Sequence, residues 1–184
     1  MAQVFISFIH EEAGYAEAVQ AFITQILGPE AKPFLSSDKL QVYAGEKWLD
    51  RIMDELKEAK VVILMLSTES MKRPWVNFEA GAAWTREIKT IPVCFGGLGK
   101  DFIPKPYSNL QAVDLQSYGD DEYLARSVAH HLGVPEPVDR RHAAGLAVLG
   151  GMESEKRFER EKNAYKNLAE ALRKLNMPGS LDKN

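Results

Sequence analysis

The chain has 184 residues, 45% of them hydrophobic and 27% charged, which sets the expectation of one globular domain with a core of ordinary size and a short appendage. A net charge of -3 and a pI near 5.9 exclude a broad electrostatic attraction for nucleic acid or an anionic membrane, so neither is an expected partner. A single cysteine, Cys94, excludes an intrachain disulfide and a cysteine-based metal site, and its position in the apolar run 91–95 reads as an inert buried thiol rather than a reactive one.

The start of the chain, MAQVFISFIHEE, has no basic segment before its apolar stretch, and no apolar run approaches the roughly 18 residues of a membrane span. The expected location is the cytoplasm. Residues 4–9 read as a buried strand. Residues 11–27 then place Tyr15, Ala18, Val19, Phe22, Ile23 and Ile26 at helical spacing, and Gly28-Pro29 stops the helix.

A short strand at 32–35 leads into the polar loop 36–45 and a helix over 46–60, with Leu49, Ile52, Met53 and Leu56 on one face. The run VVILML at 61–66 is the most hydrophobic in the chain, and its β-branched content fits a central parallel strand buried on both sides. A helix over 76–87, a strand at 91–95, a weaker strand near 112–115 and a helix over 121–132 follow.

Strands alternating with helices argue for an α/β sheet covered on both faces. The domain is expected over residues 1–133, with a linker at 134–153 and an amphipathic C-terminal helix at 154–177. Phe158, Tyr165, Leu168, Leu172 and Leu175 approximate a heptad seam interrupted by Glu161. That helix could pack on the domain's flank, mediate self-association, or lead into a further domain.

In an open parallel sheet, ligands bind outside the carboxyl ends of the strands. The loop after Leu66 is the richest there, because Trp75 and Glu79 stand four residues apart near a helix start and share one face. A carboxylate beside an indole offers a hydrogen-bonding floor and a stacking wall, which suits a flat base joined to a sugar. Glycosidic cleavage passes through an oxocarbenium-like state that a nearby carboxylate stabilises. The alternative is that Glu79 only favours the helix N-terminus, where acids gain some tenths of a kcal/mol, about 0.3–1, and that Trp75 is core.

Gly81 inside the same helix hints at close approach by a neighbour or ligand. The loop 36–45, with Ser36, Ser37, Asp38 and Lys39, could contact ribose or phosphate, or only solvent. Phe8, Ile9 and His10 could sandwich a base, or the segment could simply cap the first helix. Gly96-Gly97-Leu98-Gly99 lacks the order of a phosphate-binding loop and reads as a turn. His130 and His131 have no partner at metal spacing, so no metal site is expected.

Three segments, VFISFIHEE, FLSSDKLQVYAGEKWLDRI and VVILMLSTESMKRPWVNFEAGAAW, together resemble the Toll/interleukin-1 receptor (TIR) domain family, above all its bacterial members. The resemblance implies a flavodoxin-like fold with five parallel strands in the order 2-1-3-4-5. It implies that Glu79 is the catalytic residue of an NAD glycohydrolase or ADP-ribosyl cyclase in a bacterial immune system. The products would be nicotinamide and ADP-ribose or a cyclic isomer.

On the same resemblance Trp75, Phe8, Ile9, Ser36 and Asp38 are expected to bind substrate. NAD is then a substrate, and no resident cofactor is expected. The family further implies self-association through TIR–TIR contacts near the loop 36–45, and a separate effector or activator protein as partner. Here Ser7 is followed by Phe8-Ile9, where family members commonly carry a small or polar residue and a Tyr or His. A non-enzymatic TIR scaffold and a nucleoside deoxyribosyltransferase-like enzyme are the competing expectations.

Overall fold

A computed structural model describes residues 3–37 and 48–137, together with positions 162, 163, 166, 167 and 170. Among the described residues five strands form one sheet: β1 (Val4–Phe8), β2 (Pro33–Ser37), β3 (Val61–Leu66), β4 (Lys89–Cys94) and β5 (Val113–Asp114). All neighbours are parallel and the order is β2-β1-β3-β4-β5, the doubly wound flavodoxin-like arrangement. Among the described residues of the domain the α-helices are α1 (Ala13–Leu27), α2 (Trp48–Glu58), α3 (Pro74–Thr85) and α4 (Asp120–Leu132).

The central place of β3 follows from its side chains. All six of its residues are buried, and it pairs with β1 on one side and β4 on the other. Each fully buried aliphatic chain contributes about 1.5–3 kcal/mol, so a strand apolar on both faces is stable only with helices on both.

Two cores result. On one face Val4, Ile6 and Phe8 meet Tyr15, Val19, Phe22 and Ile23 of α1 and Leu124 and Val128 of α4. On the other, Phe5, Ile9, Leu64 and Leu66 meet Ile52 and Leu56 of α2 and Val76, Ala80 and Ala83 of α3. Cys94 lies in this second core, fully buried, and burial, with a smaller contribution from Asp114, pushes its thiol up to about 12.

Local signals account for most of the element ends. Gly28, at φ +77°, closes α1 before Pro29. Gly96 and Gly97, at φ +67° and +86°, make the turn after β4. The third helix begins at Pro74 rather than near residue 76, because proline fits the first helical position, where its missing N–H has no intrahelical acceptor to lose. A 3-10 turn, His10–Glu12, precedes α1.

Of the expected linker 134–153, residues 134–137 are described and irregular, and the remainder lies outside the described residues. Of the C-terminal helix expected at 154–177, the five described positions are helical and exposed, and the rest lies outside them. Among the described residues no helix is long and apolar enough to cross a membrane.

Candidate active site

Strand alternation decides what can meet at the carboxyl ends of β1 and β2. Ser7 lies between Phe5 and Ile9, and therefore faces α3. It pairs in register with Ser36 of β2. The two hydroxyls thus stand side by side on adjacent strands beneath one helix, and both donate to Glu79: Ser7 Oγ to Oε2 and Ser36 Oγ to Oε1. All three residues are fully buried.

This placement removes the simplest alternative for Glu79. With Pro74 as the first helical residue, Glu79 lies in the second turn, past the region where the helix dipole attracts an acid. A surface acid at such a position would stay in water. Here the carboxylate is buried and satisfied by two strands that lie 72 and 43 residues earlier in the chain.

Trp75, one turn before Glu79, is half-buried against the core that holds Ile9 and Val76. Its ring stacks on Phe78, with centroids 5.5 Å apart and planes inclined by 29°. Phe78 remains 45% exposed, so α3 presents an aromatic pair at the surface.

The first turn of α3 is held from outside the helix. Asn77 Nδ2 donates to the carbonyl of Arg73 at 3.1 Å, and Tyr107, from the segment between β4 and β5, donates its hydroxyl to Asn77 Oδ1. Burial raises the Tyr107 phenol above its ordinary value, so it stays a donor.

The topological switch point lies between β1 and β3, and the loops that flank it are strapped together. Ser67 Oγ donates to Glu12 Oε1 at 2.6 Å, and Arg73 Nη2 meets Glu11 Oε1 at 3.1 Å. Ser67 Oγ also accepts from the amides of Glu69 and Ser70, which caps the turn leading into α3.

Of the expected site residues, the fold therefore brings Glu79, Trp75, Ser36 and Ile9 to the α3 side of the sheet. Phe8 is not among them: it sits on the opposite face, 4% exposed, in the core under α1 and α4. Asp38 and the loop 38–47 lie outside the described residues. Ser7 and Phe78 were not expected. Ser7 carries a legible signal, since a serine inside a buried strand needs a partner; Phe78 carries none. Among the described residues no three or more His, Cys, Asp or Glu side chains converge as metal ligands would.

The model of the TIR domain family matches residues 4–128. This chain belongs to the TIR domain family. No curated protein matches it in sequence. Among solved structures, this TIR domain is similar to a metazoan TIR-STING receptor from C. gigas in complex with 2′,3′-cGAMP, at 21% identity and a TM-score of 0.51. The similarity covers 73% of this chain and 40% of the receptor chain, and it extends to the fold alone.

Proposed function

We propose that this TIR domain cleaves NAD at the nicotinamide–ribose bond, as part of a bacterial immune system, with Glu79 as the catalytic residue. The observation that supports this reading most is the Glu79 carboxylate itself, buried on α3 between two strands, one helical turn from a half-exposed indole. Burying a charge without a use for it is costly, and buried acids cluster at functional sites.

The chemistry asks little of the protein. The C1′–N1 bond breaks with its electron pair going to the ring nitrogen, which neutralises the pyridinium and makes nicotinamide a good leaving group without a general acid. Positive charge develops on the ribose, and Glu79 stabilises it while accepting hydrogen bonds from the ribose hydroxyls.

Water adding at C1′ and releasing a proton to solvent gives ADP-ribose. Attack by the adenine base or a ribose hydroxyl of the same molecule gives a cyclic isomer, which Trp75 would favour by stacking the base. Ile9 lines the apolar wall on the same side of the sheet. Completion of the pocket by a second TIR domain would make turnover depend on protein concentration.

The test is incubation of concentrated wild-type and Glu79→Ala protein with NAD, following nicotinamide release and the mass of the ADP-ribose products. Release that disappears in the variant supports the proposal. Release that persists in the variant rejects Glu79 as the catalytic residue, and none at any protein concentration rejects the enzyme in favour of a TIR scaffold; nucleoside exchange without NAD turnover would identify a deoxyribosyltransferase.

A further inference from the structure

Asn77 lies on the exposed side of α3 and folds its side chain back over the start of the helix. Its Nδ2 donates to the carbonyls of Arg73 at 3.1 Å and Met71 at 3.4 Å. Both carbonyls belong to the turn that leads into α3, and among the described residues Arg73, the N-cap, makes no side-chain capping bond. Asn77 therefore closes the turn that carries Trp75.

With its donors committed to carbonyls, the Asn77 amide is left with Oδ1, an acceptor that only a donor can satisfy. Tyr107 supplies that donor from the segment between β4 and β5. The phenol is a firm support. Its ring is 5% exposed and packs in the same core as Leu98 and Ile103, and its own turn is closed by the Leu110 amide donating to the Tyr107 carbonyl at 2.9 Å.

We propose that Tyr107 and Asn77 are positioning residues: together they set the first turn of α3 from the β4–β5 segment, and so fix the Trp75 indole against which a base would stack. The role in substrate binding and product choice rests on the function proposed above; the latch itself does not. Trp75 lies between the two residues that the Asn77 side chain joins, Arg73 and Asn77, so it moves with that link. Its ring also stacks on Phe78, the residue after Asn77, which extends the same constraint to both rings.

Asn77 is exposed, so water takes over part of what Tyr107 gives it, and the hydroxyl favours the closed turn by a factor of about 2 to 10. Losing it loosens the stacking wall and leaves Glu79 in place, since that carboxylate is held separately by Ser7 and Ser36. The effect then falls on binding and product rather than on the rate of bond cleavage.

The experiment compares, in the full chain, wild type, Tyr107→Phe, which keeps the buried ring, Asn77→Ala, and the double variant. Nicotinamide release from NAD and the products are measured alongside thermal unfolding. The expected result is a rise in KM of about 2- to 10-fold in each single variant, with kcat within roughly twofold of wild type and a smaller share of any cyclic product. The hydroxyl acts only through Asn77 Oδ1, so the double variant should match Asn77→Ala. In a Trp75→Ala background neither substitution should raise KM further.

Folded single variants with unchanged KM overturn the proposal, and so does a double variant in which the two effects multiply. If wild type releases no nicotinamide, the NAD reading fails and the latch is decided on Trp75 alone. In a Trp48→Phe/Trp84→Phe background, acrylamide quenching of the remaining indole should rise in Tyr107→Phe. Equal quenching in the folded variant overturns the latch.

Discussion

Phe8 and Ile9 are neighbours in the chain and lie in opposite cores: Phe8 packs under α1 and α4, while Ile9 packs against the α3 layer that carries Glu79. The two residues should therefore separate stability from substrate binding. Phe8→Leu is expected to lower stability by on the order of 1 kcal/mol and to leave the KM for NAD unchanged in the folded protein. Ile9→Ala should cost about 2–5 kcal/mol and also raise KM, because the wall beside the site recedes. Urea denaturation and nicotinamide-release kinetics on the same samples check both, and a KM change in Phe8→Leu alone would reverse the assignment of faces.

Gly81 sits inside α3, where the sequence suggested a close approach, yet a Cβ built there meets nothing within 4 Å. The position faces solvent. Gly81→Ala should then stabilise the isolated domain by about 0.5–1 kcal/mol, by removing backbone entropy from the unfolded chain without a clash. For a chain of this length that corresponds to a rise in melting temperature of roughly 1–4 °C. A drop in melting temperature in dilute protein would show that a neighbour does crowd this position.

The sheet was legible because its strands are apolar runs of the right length and its helices carry clear periodicity: VVILML and the stripe from Tyr15 to Ile23 have few other ways to be buried. Helix α3 was placed at the right part of the chain but started two residues late, since a proline looks like a stop until the first helical turn is recognised as its natural place. Trp75 and Glu79 were visible as a pair by their spacing. The partners of Glu79 were not, because Ser7 and Ser36 reach it only through parallel pairing of strands far apart in sequence. The separation of Phe8 from Ile9 was available from strand alternation, and the family resemblance obscured it by treating the two as one feature.

His131, near the end of α4, is shifted to lower pKa by burial first, with smaller contributions from His130 and Lys89. The fold thus favours its neutral form. As pH falls through the unfolded histidine value near ~6.5, the unfolded chain takes up the proton before the folded one does, so this residue's contribution to stability declines with acidification and levels off below its folded value. His131→Gln removes that dependence. The difference in urea midpoint between wild type and variant should shift against wild type from pH 7.5 to pH 5, and a difference that stays constant over that range would show that the residue does not titrate with folding.

The strap across the switch point gives a contrast between a buried hydroxyl and an exposed ion pair. Ser67 is 3% exposed, and its hydroxyl serves one carboxylate and two backbone amides, so Ser67→Ala deprives three groups at once. The expected cost is about 1–3 kcal/mol. Arg73 and Glu11 make the parallel link, but both side chains are more than two-fifths exposed, at 43% and 45%, and water screens them. Arg73→Ala should cost under about 1 kcal/mol, and that cost should shrink as salt is raised, whereas the cost of Ser67→Ala should not. Denaturation at low and high salt separates the two. If both variants proved equally salt-sensitive, the loops at the switch point would be held by charge rather than by the serine that links the end of β3 to the first turn before α1.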